Sequence, residues 1–146
     1  MIHRRSSGRP LNVTSGVDNS LTGKSNQRAL QVLGNPYGDK SGRPGTNFLN
    51  PAAFVIPATG TFGNLGRNSV QSPGTWDFDT ALSRVFRFRE TQRVEVRAEA
   101  FNVLNSFRPD ASTPTALATA VNGSTFGVIR TARDPRIMQF ALKYLF

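Results

Sequence analysis

Arg136-Ile137-Met138-Gln139-Phe140-Ala141-Leu142-Lys143-Tyr144-Leu145-Phe146 sets Met138, Phe140, Leu142, Tyr144 and Phe146 against Gln139, Ala141 and Lys143. Successive side chains of a strand point to opposite faces, so this period of two predicts a strand over residues 136–146. Ile137 and Leu145 soften the second face without hiding the period. Strands of soluble sheets run to about 5 or 6 residues, whereas a tilted strand needs roughly 9 to 11 to cross a bilayer. The stretch has the second length.

Working back along the chain, residues 93–104 show the same alternation. Val94, Val96, Ala98 and Ala100 oppose Arg93, Glu95, Arg97 and Glu99. A helix would stack Arg93 on Arg97 and Glu95 on Glu99, which is repulsive, while a strand lines up a row of alternating charge. Residues 76–88 carry Trp76, Phe78, Leu82, Phe86 and Phe88 on one face, opposed by Asp77, Asp79, Ser83 and Arg87. Thr80 and Arg84 interrupt the apolar side and Val85 the polar side; Arg84 is expected near an interface or at a bulge. A weaker alternation at residues 9–18, through Leu11, Val13 and Val17, predicts a further strand. Arg89-Glu90-Thr91-Gln92 makes a tight charged turn between the second and third strands. Residues 20–75 and 105–135 are long, rich in Gly, Pro, Asn, Ser and Thr, and read as loops too polar to hide in a core. Within them, residues 52–56, bracketed by Pro51 and Pro57, suit a short strand or a packed loop element, and residues 62–69 a glycine-rich turn.

Composition narrows the function classes. The 146 residues include 13 glycines and 9 prolines with 38% hydrophobic content, which rules against a long helical bundle. A formal charge of +9 raises nucleic acid or an anionic membrane surface as partners, but the basic residues are scattered and their longest run is Arg4-Arg5. The absence of cysteine excludes disulfides, thiolate metal sites and cysteine nucleophiles. His3, the one histidine, sits beside the chain start as a solvated side chain. Asp77 and Asp79 share a face, yet two such carboxylates need a pocket to become an acid and a base. Gly63-Asn64-Leu65-Gly66-Arg67 lacks the G-x-x-x-x-G-K-[ST] pattern of a phosphate-binding loop and reads as a structural turn. No catalytic residue, metal or cofactor is expected, and the protein is not expected to be an enzyme.

Three observations favour a lipid-facing sheet over a soluble one. The strong strands are long enough to span. Aromatic residues (Trp76, Phe86, Phe88, Tyr144, Phe146) stand at strand ends, where interfacial girdles lie. No second layer is evident to cover the apolar faces. Charged side chains would then face a wet lumen, because hydrocarbon penalises them. The lumen-facing row is Asp77, Asp79, Arg93, Glu95, Arg97 and Glu99, expected to form cross-strand pairs and open to contact with a plug or substrate. Alternation of short turns with long loops has the same source, the short side being periplasmic.

Several stretches together resemble the C-terminus of Oar-like TonB-dependent receptors: residues 7–18 (SGRPLNVTSGVD), 62–69 (FGNLGRNS), 76–79 (WDFD), 97–105 (RAEAFNVLN), 126–130 (FGVIR) and 134–136 (DPR). They occur in the right order over nearly the whole chain. The resemblance implies a barrel of about 22 strands in the outer membrane of Gram-negative bacteria. An N-terminal plug with a TonB box would couple it to import of bulky nutrients. The expected fold is all-β: an antiparallel, curved sheet of about four long strands with long irregular loops. Residues 1–146 would form the C-terminal portion of that barrel domain, with the plug and most strands absent. No apolar signal segment follows Met1, so the chain is expected to be the tail of a longer protein. By the same resemblance Phe146, Tyr144, Leu142, Phe140 and Met138 form the signal read by the barrel-assembly machinery. The expected partners are outer-membrane lipid, that machinery, the remaining strands and plug, and TonB only through the plug. Two alternatives remain, a basic nucleic-acid-binding module and a non-transporting surface or adhesin protein. The first is disfavoured because Phe86 and Phe88 share a face while Arg87 points away, so no nucleic-acid partner is expected.

Overall fold

The computed structural model describes residues 1–113 and 116–146; Pro114 and Thr115, inside the segment read as the second long loop, lie outside the described residues. In chain order the strands are β1 (Ile2–Ser6), β2 (Pro10–Leu11), β3 (Leu30–Gln31), β4 (Phe54–Val55) and β5 (Val70–Gln71), then β6 (Thr75–Arg87), β7 (Arg93–Phe101), β8 (Pro109–Asp110), β9 (Thr131–Ala132) and β10 (Ile137–Leu145). One 3-10 turn, Pro51–Ala53, precedes β4. Contacts divide the chain into two compact units: Met1–Ser6, Trp76–Phe107 and Asp134–Phe146 form the first, Ser7–Thr75 and Arg108–Arg133 the second.

The first unit is a four-stranded sheet in the order β1-β6-β7-β10, with β6 antiparallel to β7 and β7 antiparallel to β10. The three strong alternating stretches are thus its three long strands. At the predicted tight turn, the N–H groups of Phe88 and Arg89 donate to the Gln92 carbonyl at 3.1 and 3.4 Å. The fourth strand corrects the sequence reading. It is β1, not residues 9–18, and its Ile-His-Arg-Arg-Ser sequence is exposed throughout and shows no apolar period. Its place in the sheet comes from backbone hydrogen bonding to β6, which leaves no mark on composition. Among the described residues no sheet closes into a barrel, as expected of four strands where even small barrels need about eight.

The second unit overturns the reading of residues 20–75 and 105–135 as loops too polar to hide in a core. Val13, Ala29, Phe48, Leu49, Ala53, Phe54, Leu65, Val70, Leu117, Phe126 and Ile129 form a buried cluster. Each short segment supplies one or two apolar residues between turns, so no window carries a period although the sum makes a core. Residues 9–18 belong here: Pro10–Leu11 pairs with Val70–Gln71, Val13 enters the core, and Thr14 bridges to Arg28 and Ala120. The segment read at residues 52–56 combines the two options, a 3-10 turn over Pro51–Ala53 followed by the short strand β4. The Asn50 side chain caps the 3-10 turn by accepting from the Ala52 N–H at 3.0 Å, and Phe54–Val55 then pairs with Leu30–Gln31. Phe54 meets Phe126 edge to face, with ring centroids 5.5 Å apart.

Gly127 marks how tightly this core is wound. Its φ is +74°, and a Cβ there would lie 2.5 Å from the Leu49 carbonyl oxygen, the group that flanks its own backbone contact with the Leu49 N–H. Gly127→Ala is therefore expected to destabilise the second unit by about 2 to 3 kcal/mol. A urea midpoint unchanged from the parent chain would contradict this.

Candidate functional site

The ladder gives the sheet two unlike faces. On one, Phe86 faces Val94 and Val94 faces Tyr144; the next rows are Arg84, Val96, Leu142, then Leu82, Ala98, Phe140, then Thr80, Ala100, Met138. Leu82, Phe140 and Leu142 remain 73%, 78% and 75% exposed, far from the burial a soluble core gives such side chains. This is a contiguous apolar surface that the first unit itself does not cover, and such surfaces mark binding or membrane contact. Arg84 lies within it at unbroken register, so no bulge accommodates it; its Cζ sits 5.3 Å from the Phe86 ring centroid, a cation–π contact.

All six residues of the predicted polar row lie on the opposite face, distributed along its length. Arg93 stands at the turn end, directly across from Arg87, a like-charge pairing. Glu95 faces Lys143 across β7 and β10, a favourable pairing worth a few tenths of a kcal/mol. Arg97 and Glu99 form an ion pair at 2.5 Å, but along one strand instead of across two. Half-exposed pairs of this kind contribute little to stability. Asp77 and Asp79 are half-buried at the other end of β6. The face thus runs from basic residues at the turn to acidic ones at the far end.

Asp79 leads to the residue that sequence reading missed. Its Oδ1 accepts the Asn102 N–H at 3.0 Å, just past the end of β7. Asn102 is 1% exposed and holds φ +49°, in the left-handed region that Asn tolerates better than most side chains. Its Oδ1 accepts from the Ser106 N–H and Oγ, both at 2.9 Å, and its Nδ2 donates to the Ser106 carbonyl at 3.1 Å. Ser106 Oγ reaches the Trp76 carbonyl at 3.4 Å, and the Asn105 side chain accepts the Arg136 N–H at 3.2 Å. Val103 N–H continues the ladder to the Phe78 carbonyl at 2.9 Å. One buried amide thus ties the ends of β6 and β7, while Asn105 takes hold of the entry to β10. The signal available in the sequence was two asparagines three apart, immediately after a strand period stops.

The five terminal residues read as an assembly signal occupy the apolar face of edge strand β10 or follow it. Tyr144 and Phe146 rings lie 5.9 Å apart, and Phe146 is 92% exposed. Among the described residues no helix is long and apolar enough to cross a membrane, which leaves strands as the spanning elements of a membrane reading. No group of three or more His, Cys, Asp or Glu residues positioned to hold a metal ion occurs among them.

Residues 1–139 match the outer membrane beta barrel domain. The chain belongs to that family. No curated protein and no solved structure matches it. An outer membrane beta barrel domain is generally structural or transporting instead of catalytic, and an outer-membrane location follows from the family in general terms.

In the second unit, the Asp18 carboxylate organises a local turn. Burial pushes its pKa up, but the N–H groups of Thr22 and Gly23 and the side chains of Gln27 and Thr22 outweigh this and hold it below the ordinary 3.8. A depressed folded pKa means that the contribution is present above pH 3.8 and is lost as pH falls through the folded value. Amide protection of Thr22 and Gly23 should therefore collapse in acid below that range and be absent at neutral pH in Asp18→Ala, which has no side-chain acceptor, while Leu49 stays protected. Equal protection of Thr22 and Gly23 in Asp18→Ala at neutral pH would refute the link. For the first unit, Asn102→Ala is expected to cost about 2 to 4 kcal/mol, and Asn102→Gly, which keeps the left-handed backbone, somewhat less. Thermal unfolding of the two variants side by side checks the order.

Proposed function

We propose that this chain forms strands of an outer-membrane TonB-dependent receptor of the Oar-like kind, which imports a bulky nutrient, and that lipid covers the apolar sheet face. The observation that carries the membrane part is the uncovered face itself, in a chain of the outer membrane beta barrel domain family. Its dimensions agree. From Trp76 to Phe86, at about 3.3 Å per residue and a tilt of about 45°, the strand rises roughly 23 Å, close to the apolar band of about 25 Å in such barrels. Aromatic side chains stand at both ends of that rise, Trp76 at one and Phe86 with Tyr144 at the other. Strands β1 and β10 are the edges of the sheet, where further strands of a complete barrel would pair.

The receptor assignment is supported by the ordered motifs, among them the Phe101 to Asn105 stretch that forms the Asn102 tie. In this reading the polar face lines the lumen, the 88–92 turn is periplasmic, and the terminal pattern ending in Phe146 is read by the barrel-assembly machinery. A reading frame that continues upstream of the Met1 codon into a plug with a TonB box would support transport; a promoter and start site there would sink it.

Trp76, the single tryptophan, reports directly on lipid contact. Its fluorescence in bilayers should be quenched by lipids brominated near the headgroup and much less by bromines at the chain ends. Quenching by neither would remove lipid from the apolar face. Deleting Phe146 should lower the membrane fraction of heat-modifiable barrel severalfold, and an unchanged fraction would refute the assembly role.

A further inference from the structure

The second unit holds a cleft of about 560 Å³ lined by Asn12, Thr14, Asn26, Arg28, Arg67 and Thr119 among others. That volume suits a small molecule. Its floor is preorganised. Thr14 N–H donates to the Thr119 carbonyl at 3.0 Å, Val121 N–H to the Thr14 carbonyl at 2.9 Å, and Thr14 bridges to Arg28 on its other side. Three segments thus form one hydrogen-bonded surface, and Ala118 and Ala120 leave it low enough to form a depression.

The two guanidiniums are carried on backbones fixed to each other. Leu65 N–H donates to the Ala29 carbonyl at 3.3 Å, and Gly63 lies so close that a Cβ would fall 2.2 Å from the Arg28 carbonyl oxygen. Arg67 is followed by Asn68, at φ +55°, whose N–H donates to Asn12 Oδ1 at 2.8 Å. That bond uses the Asn12 acceptor and leaves its amide hydrogens for a ligand. Among the described residues no carboxylate lies within 4.0 Å of Arg28 or Arg67, and no acidic residue lines the cleft. Two exposed arginines on mutually fixed backbones, set among amide and hydroxyl side chains, match an anion that also carries hydroxyls.

We propose that this cleft binds a small carboxylate rich in hydroxyl groups, of the sugar-acid class, with Arg28 and Arg67 on the carboxylate and the Asn and Thr side chains on the hydroxyls. The inference rests on the second unit alone, and failure of the membrane reading would leave it standing.

The test is a saturation-transfer NMR titration of the full folded chain with glucuronate, with glucose as the neutral analogue and sulfate as competitor. Glucuronate should give saturable transfer, glucose should give none at equal concentration, and sulfate should displace glucuronate only weakly. Arg28→Gln and Arg67→Gln should each weaken glucuronate about tenfold or more, and Lys40→Gln, outside the cleft, should not. Circular dichroism confirms that each variant folds, and either arginine variant suffices if the other does not. Equal binding of glucose, displacement by sulfate as effective as by glucuronate itself, or equal loss in Lys40→Gln would each overturn the proposal. So would unchanged binding in a folded arginine variant.

Discussion

The register of the β6-β7-β10 ladder is the constraint on which the rest of the first unit depends. Strand side chains alternate with a period of two, so a slip of one residue would carry Arg93, Glu95, Arg97 and Glu99 to the face now held by Leu82, Phe140 and Leu142. Hydrogen bonding alone does not prevent this, because a slipped ladder makes as many backbone bonds. Two features pin the register at opposite ends. The 88–92 turn fixes β6 against β7, and Asn102, holding Asp79 and Ser106 while Val103 bonds Phe78, fixes the other end. Asn105 extends the tie to Arg136, just ahead of β10. The buried amide therefore supports the two-faced character of the sheet without belonging to either face.

The second unit solves a different problem with different means. A polar, glycine-rich stretch cannot supply a long apolar face, so its core is assembled from single residues delivered by many short turns. Close backbone approaches, such as that of Gly127 to Leu49, make such assembly possible. The same economy leaves polar side chains at the rim of the core, which is why a cleft lined with Asn, Thr and Arg sits over buried Val13.

This difference explains what was legible in the sequence. The three long strands were, because their faces repeat over nine or more residues and the local period outweighs its interruptions. β1 was not, since Ile2–Ser6 is selected by an unsatisfied edge and not by burial. Residues 9–18 misled for the converse reason: Val13 does face a core, so the alternation is real, but the pairing lasts only two residues before the chain turns. The core at Leu49, Leu117 and Ile129 escaped because no window holds enough of it. That the six polar residues share one face follows from the period, whereas their partners depended on register: Glu95 meets Lys143, but Arg93 meets Arg87. Asp79 was legible as a member of the row, and its role as an acceptor for the Asn102 backbone was not.

Arg84 shows how the apolar face tolerates a charge. A bulge would remove it from that face but would also shift the register of every residue beyond it, undoing the alternation that β6 needs. The ladder instead runs straight through, and the guanidinium lies against the Phe86 ring, one row nearer the turn. A long aliphatic stem permits this, since the methylenes remain at the level of Val96 and Leu142 while the charge moves toward the end of the strand. In the membrane-spanning reading that displacement carries the charge toward the headgroup level, where an arginine costs far less than at the bilayer centre. Phe86 and Tyr144, in the same row, are the amphipathic or aromatic groups expected at that level. In that reading the misfit in the sequence pattern and the aromatic row beside it are two consequences of one requirement, that the chain leave hydrocarbon before it reaches its turn.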